Sequence, residues 1–257
     1  MDAASEFEMV FQSAFAPLAL AEIPPLARLV SSELVELGRR LLEAHFGALT
    51  VPAMPVEHLL HFAVRKRFFE DQARAGLAGV AHVVSLGAGW DPLLLALAQA
   101  HPEVAFTEFD RPEVCEPKRS ALVKAGLLPS NLHLVSTVLP DLGAWPAGPH
   151  LMLAQAVLMY LEVAQVRQLL QRLPPGRLVL SYATSDLGDP SLARLRRFIG
   201  WHCDDLPDFL GPDWQILEHP THAELEQRYL RPGLRLSGPG RVERMAVVHR
   251  QRLLART

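Results

Sequence analysis

The sequence is poor in cysteine, in net charge of either sign and in several common enzyme motifs. Its 257 residues include two cysteines, Cys115 and Cys203, too few for a disulfide framework or a four-thiolate zinc site. Lysine and arginine total 25 against 28 aspartates and glutamates, for a formal net charge of −3. Since there is no basic excess, we expect neither nucleic acid nor an acidic membrane as a partner.

Three motifs that would indicate other chemistries are missing from the sequence. It contains no G-x-x-x-x-G-K-[ST] loop, no H-E-x-x-H and no G-x-S-x-G, which argues against P-loop nucleotide binding, zinc-dependent hydrolysis and serine hydrolysis. The pairs His58-x-x-His61 and His219-x-x-His222 lack Cys or Glu partners at ligand spacing. We therefore predict no metal site.

The apolar run near the start, residues 10–21, has the features of neither a signal peptide nor a membrane span. Acidic residues rather than lysines precede it, and Pro17 interrupts it. A signal peptide needs a positively charged front end, and a span needs about 20 continuous apolar residues. We therefore expect a soluble, cytoplasmic protein.

Hydrophobic residues make up 49% of the chain and charged residues 21%, so a large core can form. The pattern predicts one domain in three regions. Residues 1–75 are a helical cap, 76–183 alternate strands and helices, and 184–257 are less regular. The helices expected outside the middle region are 31–45, 56–75, 192–201 and 223–230.

Five nearly continuous apolar segments in the middle region have the pattern of strands that are covered on both faces. Helical segments separate several of them, so the fold class is α/β, with a doubly wound, Rossmann-like, mostly parallel sheet. A further strand, 242–248, is expected to add to it in antiparallel orientation. The five predicted strands are 81–86, 104–109, 132–137, 150–155 and 177–182.

The stretch His82–Pro92 combines a strand, a glycine turn and the start of an apolar helix. Gly87 and Gly89 allow a sharp bend and a close backbone approach to a ligand. Asp91 is expected to cap the helix, with Pro92 in its first turn. A carboxylate at that helix start would repel a phosphate, which argues against NAD, FAD and ATP.

A cofactor with a cationic centre and no phosphate suits this turn, and S-adenosylmethionine has both properties. The second strand ends in Glu108-Phe-Asp110, and Asp110 lies 23 residues after Gly87. An acid at that position normally accepts hydrogen bonds from ribose hydroxyls. Asp110 is the first candidate, and Glu108, on the same side of the strand, is the second.

Three segments together resemble the leucine carboxyl methyltransferase family, including its bacterial O-methyltransferases of polyketide and secondary-metabolite type. The resemblance implies a class I methyltransferase fold and S-adenosylmethionine as cofactor, and it covers about residues 60–183. The segments are Val84–Asp91, Phe106–Val114 with Lys118, and Ala156–Leu161 with Val166 and Leu169.

The resemblance also implies site residues. An arginine before the first strand holds the methionine carboxylate in the family, and Arg65 is the best match, with Arg67 second; a guanidinium fork suits a carboxylate. Gly87 and Asp110 carry over directly. Two positions, Val138 and Gln155, depart from the family pattern.

Val138-Leu139 stands where the family has an Asp-Leu pair that meets the adenine, so Leu139 keeps its match and Val138 loses an acceptor. Asp141 is a possible substitute. Gln155 stands in place of a glutamate at the end of the fourth strand, which keeps hydrogen bonding but loses a charge. If that loss weakens cofactor binding, Gln155→Glu is expected to restore it.

Methyl transfer is an in-line displacement in which the enzyme mainly aligns the reactants and excludes water. A carboxylate acceptor needs no base, whereas a phenol or enol acceptor calls for one, most often histidine. The candidate catalytic residues are Tyr160 and His202, with His58 and His61 as alternative bases. We expect an O-methyltransferase for a carboxylate or hydroxyl of a small metabolite, or else a catalytically weak or inactive binding or scaffold protein on that fold.

Overall fold

The computed structural model describes residues 14–51, 53–143, 145, 148–188 and 196–251. Within them seven strands form one sheet: β1 His82–Leu86, β2 Ala105–Asp110, β3 Leu132–Ser136, β4 His150–Ala154, β5 Gly176–Ala183, β6 Trp214–Glu218 and β7 Glu243–Arg250. The strand order is β3-β2-β1-β4-β5-β7-β6. Strands β1 to β5 are parallel, whereas β7 runs antiparallel to β5 and to β6.

Helices precede the sheet and connect its strands. They are α1, residues 14–21; α2 Pro24–Ala27; α3 Ser32–Phe46; α4 Val56–Ala75; α5 Leu93–Ala100; α6 Pro112–Lys124; a 3-10 helix, Leu158–Tyr160; α7 Val163–Arg172; α8 Leu206–Leu210; α9 His222–Tyr229; and α10 Pro239–Val242. Among the described residues, no helix combines the length and the apolar character needed to span a bilayer.

Helices cover both faces of the sheet, as the apolar strands require. Leu151 and Leu153 of β4 point into a core shared with α3, α4, α5 and α6. The alternate residues Met152 and Ala154 point into a second core, shared with α7 and α8. This period of two places an apolar side chain on each face and accounts for the continuous apolar runs in the sequence.

The predicted architecture is confirmed. The predicted helix 56–75 coincides with α4, the five predicted parallel strands match β1 to β5 within two residues, and β7 is the expected antiparallel strand. Strand β6, in which hydrophobic and polar residues alternate only weakly, was not predicted. The division of the chain into a single domain stays a prediction.

The predicted helix 192–201 ends earlier than expected: residue 196 is helical and the residues after it are not. Residues 189–195 lie outside the described residues, and 197–201 are not helical. The backbone N–H groups of Gly200 and Trp201 instead donate to the carbonyl of Met159, at 2.9 and 3.2 Å. These contacts tie residues 200–201 to the 3-10 helix, so their N–H groups are not available for a helix that continues to Trp201.

Candidate active site

The glycine turn lies at the point where the strand order reverses. From β1 the chain leads to β2 and β3 on one side, whereas β4 and β5 lie on the other, and such a reversal opens a crevice at the carboxyl ends of the strands. Gly87 and Gly89 have φ values of +62° and +54°. A Cβ on Gly87 would lie 2.4 Å from Cγ2 of Val157, so this position has no room for a side chain.

Asp110 braces this turn from the end of β2. Its Oδ2 accepts a hydrogen bond from the backbone N–H of Gly89 at 2.7 Å, and its Oδ1 accepts one from the N–H of Arg111 at 2.8 Å. The carboxylate therefore lies against the glycine turn, where the sequence places it. Each oxygen keeps a second lone pair for another donor.

Glu108 and Lys118 form a buried ion pair beneath the turn. Lys118 Nζ lies 2.7 Å from Oε2 of Glu108 and donates to the carbonyls of Gly89 and Asp91, at 3.0 Å each. Burial raises the pKa of Glu108, and the Lys118 ammonium partly offsets this effect. Glu108, the second candidate for the ribose contact, is thus enclosed by protein and engaged with Lys118.

Asp91 connects three elements at the start of α5. Its Oδ1 accepts from the N–H of Leu93 at 3.0 Å, while its Oδ2 accepts from Lys66 Nζ at 2.6 Å and from Gln155 Nε2 at 3.2 Å. The carboxylate does bind the first N–H group of the helix, but the predicted placement is shifted by one residue: Pro92 is at the cap position and Leu93 is the first helical residue.

The charges of Asp91 and Lys66 support each other despite burial. Burial alone would raise the pKa of Asp91, but the Lys66 ammonium and the N–H of Leu93 bring that pKa below its usual range. Burial lowers the pKa of Lys66 further than Asp91 raises it. The carboxylate at the helix start is therefore ionised at neutral pH, as the argument against a bound phosphate requires.

Arg65 and His61 of α4 meet Glu243, the first residue of β7. Glu243 Oε2 lies 2.7 Å from Arg65 Nη1 and 2.6 Å from His61 Nε2, and all three side chains are buried. Burial alone would raise the pKa of Glu243, but Arg65 and His61, aided by the Ser181 hydroxyl, lower it to about 2. The side chain of His61 is therefore buried against Glu243 and is not an exposed base.

The other arginine candidate points away from this cluster. The side chain of Arg67 is 38% exposed, and its guanidinium pairs with Asp71 at 3.2 Å. Arg65 is the arginine that the fold brings to the carboxyl edge of the sheet, beside the end of β5. Its assignment to a methionine carboxylate stays a prediction.

Tyr160 and His202 lie on neighbouring segments at the same edge. The Tyr160 ring is about one-third exposed, and burial raises its pKa to about 12, with Arg65 opposing this effect. Its hydroxyl stays protonated at neutral pH, so it can donate a hydrogen bond but cannot act as a base. His202 is exposed and forms a β-bridge with Ala183, at the end of β5.

The two residues after β3 that the family resemblance places at the adenine, Val138 and Leu139, differ in exposure. Leu139 is buried in the second core with Phe109 and Leu142, whereas Val138 is 61% exposed. Asp141 pairs with Arg172 at 2.6 Å, so this carboxylate already has a partner. His58, the remaining candidate base, is half-buried, and burial lowers its pKa.

The sequence profile of the leucine carboxyl methyltransferase family matches residues 26–174. That segment is more than half of the chain and runs from α2 to the end of α7. The chain belongs to the leucine carboxyl methyltransferase family. The match confirms the resemblance drawn from the glycine turn, the end of β2 and the segment after β4.

Two curated relatives match part of the chain, and both are named, by inference, as S-adenosyl-L-methionine-dependent methyltransferases. One, from Mycolicibacterium smegmatis, is 31% identical over an alignment of 163 residues that covers 58% of this chain and 52% of the relative. The other, from Parafrankia sp., is 34% identical over an alignment of 120 residues that covers 43% of this chain and 38% of the relative. The chain thus spans about half or less of the length of these relatives.

Solved structures share the fold at low identity. The magnesium protoporphyrin IX methyltransferase ChlM from Synechocystis PCC 6803, solved with bound SAH, has a TM-score of 0.52 at 15% identity, covering 83% of this chain and 94% of ChlM. TnmH has a TM-score of 0.50 at 18% identity, covering 91% and 72%. At these identities the likeness shows the fold alone.

Several residues of the site were not found by reading the sequence for candidate ligands. Lys66 and Glu243 carried no motif, and Lys118 was noted only as part of the family resemblance. A charged residue inside an apolar helical stripe is the signal that could have indicated Lys66 and Lys118, because such residues are rarely buried without a partner. Nothing local marks Glu243, whose partner Arg65 is 178 positions away.

Proposed function

We propose that this chain is an S-adenosylmethionine-dependent O-methyltransferase that acts on a carboxylate or hydroxyl of a small metabolite. The observation that carries the proposal is the glycine turn held by Asp110, with an ionised Asp91 at the start of the next helix. The turn offers close backbone contact, while the Asp91 carboxylate disfavours phosphates. The proposal extends the activity named for the relatives to this chain.

The residues around the crevice suit the parts of this cofactor. The remaining lone pairs of the Asp110 carboxylate suit ribose hydroxyls, and the backbone of Gly87 and Gly89, at positive φ, makes the turn against which this carboxylate lies. The Nε of Arg65 is buried and has no hydrogen-bond partner among the described residues, so it suits a carboxylate. Gln155 and Leu139 keep their assignments from the resemblance, although the amide of Gln155 already donates to Asp91.

When bound, the cofactor would supply an electrophilic methyl group on a sulfonium. This methyl group would be transferred to the acceptor oxygen, with the cofactor leaving as the neutral thioether, and the residues that would hold the cofactor are Arg65, Gly87, Gly89 and Asp110. A carboxylate acceptor is already ionised, whereas a hydroxyl acceptor must lose its proton, and His202 is our candidate for receiving it. Tyr160, which stays protonated, is suited to orienting the acceptor by donating a hydrogen bond.

A second candidate, a catalytically weak or inactive binding protein, is favoured by two contacts. Gln155 donates to Asp91, and Arg65 pairs with Glu243, so two predicted cofactor ligands already have partners within the protein. Cofactor binding without turnover of any acceptor would be the sign of this function. In either case we propose a small-molecule partner, no nucleic-acid or membrane partner and a cytoplasmic location.

Calorimetry tests the proposed cofactor. We expect S-adenosylmethionine and S-adenosylhomocysteine to bind to the purified chain, and NADH and ATP not to bind at the same concentration. Absence of heat and of a thermal shift with millimolar S-adenosylhomocysteine would reject the proposal, and tight binding of NADH would overturn the argument from Asp91.

Asp110 variants test the placement of the ribose. Asp110→Ala removes the acceptor for the ribose and for two backbone N–H groups, so we expect binding to fall at least 100-fold. Asp110→Asn keeps one acceptor oxygen and the side-chain volume, and is expected to retain more affinity than Asp110→Ala. Circular dichroism of both variants verifies that they fold, and normal binding by Asp110→Ala would show that the ribose lies elsewhere.

A further inference from the structure

The Arg65–Glu243 pair includes a buried donor nitrogen and a buried acceptor oxygen that have no hydrogen-bond partner among the described residues. Arg65 binds Glu243 through Nη1, whereas its Nε is buried without a hydrogen-bond partner among the described residues. Glu243 receives both Arg65 and His61 on Oε2, whereas its Oε1 is buried and also lacks a partner there. Buried polar atoms are seldom left unpaired, and an exception calls for an explanation.

A series of direct contacts connects this pair to the glycine turn. Val157 lies against Gly87, and the N–H of the preceding Ala156 donates to Oγ of Ser181 at 2.8 Å. Ser181 is on β5, whose last residue, Ala183, pairs with Glu243 on β7. The unused atoms of Arg65 and Glu243 therefore lie at the same carboxyl edge of the sheet as the turn.

The charges of the pair decide which ligand it suits. An anion alone at Arg65 would place a second negative charge beside the ionised Glu243 in a buried environment, which is unfavourable. A cation alone would be repelled by Arg65 in the same way. A zwitterion avoids both penalties, because its negative group can face Nε while its positive group faces Oε1.

We propose that Arg65 and Glu243 together form a subsite for a zwitterionic α-amino acid head group, in which Oε1 of Glu243 accepts a hydrogen bond from the ammonium. The inference rests on the proposed function, since the head group would be the methionine end of S-adenosylmethionine. The family resemblance implies the contact of Arg65 with the carboxylate; the assignment of Glu243 is new. Glu243 lies on β7, outside the segment that the family profile matches.

This assignment also accounts for the loss of a charge at Gln155. The amide of Gln155 donates to Asp91 and cannot offer a negative charge to an ammonium. Glu243 supplies a carboxylate from a different strand, β7 instead of β4. The cofactor site thus keeps an acid for the ammonium although the position at the end of β4 has lost it.

Three ligands and one substitution test the subsite by calorimetry. The ligands are S-adenosylhomocysteine, its analogue without the amino group, and 5′-methylthioadenosine, which lacks the whole head group. In the unaltered chain we expect the deaminated analogue to bind about 10- to 100-fold more weakly than S-adenosylhomocysteine, as for the loss of a charge-assisted hydrogen bond. This comparison needs no variant and holds even if Glu243 variants fail to fold.

Glu243→Gln should reduce the affinity for S-adenosylhomocysteine by a similar factor and leave that for 5′-methylthioadenosine unchanged. The deaminated analogue should bind the variant more tightly than the unaltered chain, because the negative charge beside Arg65 is gone. The matched control is Glu70→Gln, which removes another buried glutamate that pairs with an arginine of α4, Arg74 at 3.1 Å. Since Glu70 is not part of the proposed subsite, we expect this control to keep the affinity for S-adenosylhomocysteine within about threefold.

Other outcomes overturn the subsite. If Glu243→Gln weakens all three ligands equally, Glu243 acts only through the structure of the site. If the deaminated analogue binds as well as S-adenosylhomocysteine, no acid meets the ammonium. Failure of the proposed function is distinguishable, because the unaltered chain would then bind none of the three ligands.

Discussion

The side-chain amide of Gln155 donates to Oδ2 of Asp91 at 3.2 Å, across the gap between the end of β4 and the turn after β1. Lys66 Nζ contacts the same oxygen at 2.6 Å. The Asp91 carboxylate therefore receives two donors on one oxygen while the other oxygen caps α5. A glutamine in this position fits the charge of Asp91 in a way that a glutamate would not.

For Gln155→Glu, this contact reverses the expectation drawn from the family pattern. A second carboxylate would lie about 3 Å from Asp91, and like charges at that distance disfavour ionisation of one of them. We expect the free energy of unfolding at pH 7 to fall by about 1–3 kcal/mol, with weaker cofactor binding. Denaturant unfolding at pH 7 and pH 5 measures this change.

The control for that substitution is Gln155→Met, which removes the donor without adding a charge. It should lose less stability than Gln155→Glu at pH 7, and the gap should narrow at pH 5, where the new carboxyl takes up a proton. A Gln155→Glu protein that is more stable, or that binds S-adenosylmethionine more tightly, would contradict this account.

Gly87→Ala is expected to damage the turn for two reasons that can be separated. Its Cβ would overlap Val157, 2.4 Å away, and its φ of +62° is unfavourable for a residue with a side chain by about 1–2 kcal/mol. The Cβ of Val157 would also lie 2.9 Å from the new Cβ, so combining Gly87→Ala with Val157→Gly should relieve the overlap but not the backbone cost. Thermal unfolding of the two single variants and of the pair measures both effects, and full recovery in the pair would rule out a backbone contribution.

Lys118→Met tests the buried ammonium under the glycine turn. The carbonyls of Gly89 and Asp91 would lose their donor and Glu108 its counter-ion, so we expect a loss of about 3–5 kcal/mol in unfolding free energy. Burial raises the pKa of Glu108 in the folded state, and the variant lacks the opposing Lys118. The folded variant therefore holds a proton on Glu108 more firmly than the unfolded chain does.

From that difference it follows that Lys118→Met loses stability as the pH rises from the ordinary glutamate range towards the raised pKa. Denaturant unfolding between pH 4.5 and 8 should show this trend. Adding Glu108→Gln should remove most of the pH dependence while the loss from the unpaired carbonyls persists. A penalty that is independent of pH in Lys118→Met would mean that Glu108 keeps another partner.

Glu243 is expected to contribute stability that disappears in acid. Its pKa falls from 4.5 to about 2 on folding, so its contribution is present above pH 4.5 and is lost as the pH drops towards 2. A shift of that size corresponds to about 3 kcal/mol. The stability difference between the unaltered chain and Glu243→Gln should shrink between pH 5 and pH 3, as urea unfolding can measure; a constant difference would refute the link to the charge of Glu243.

The strands of the sheet could be predicted from the sequence because each is marked by a pattern within a few neighbouring residues. Apolar runs such as 177–182 indicate strands that are covered on both faces, and the turn at Gly87 separates β1 from α5 within a few residues. The same local pattern placed Asp110 beside the turn, because neighbouring parallel strands end at the same edge. Strand β6 was missed because Trp214–Glu218 includes two exposed positions and gains its partner only from β7.

The buried ion pairs of the site could not be predicted from the sequence in the same way. Which of Arg65 and Arg67 turns inward depends on the packing of α4 against β4, β5 and α10. That Glu108 is taken by Lys118 depends on how α6 crosses β2. These choices follow from tertiary contacts between distant residues, for which a single sequence has no periodic signal.

The contact between Arg65 and Glu243 has a consequence for how the chain matures during synthesis. Because 178 positions separate them, a ribosome adding about 5–20 residues per second exposes the guanidinium well before its counter-ion exists. Until β7 inserts between β5 and β6, α4 would have to bury an uncompensated cation. The buried charge of Arg65 is therefore compensated by Glu243 only once β7 has paired with β5.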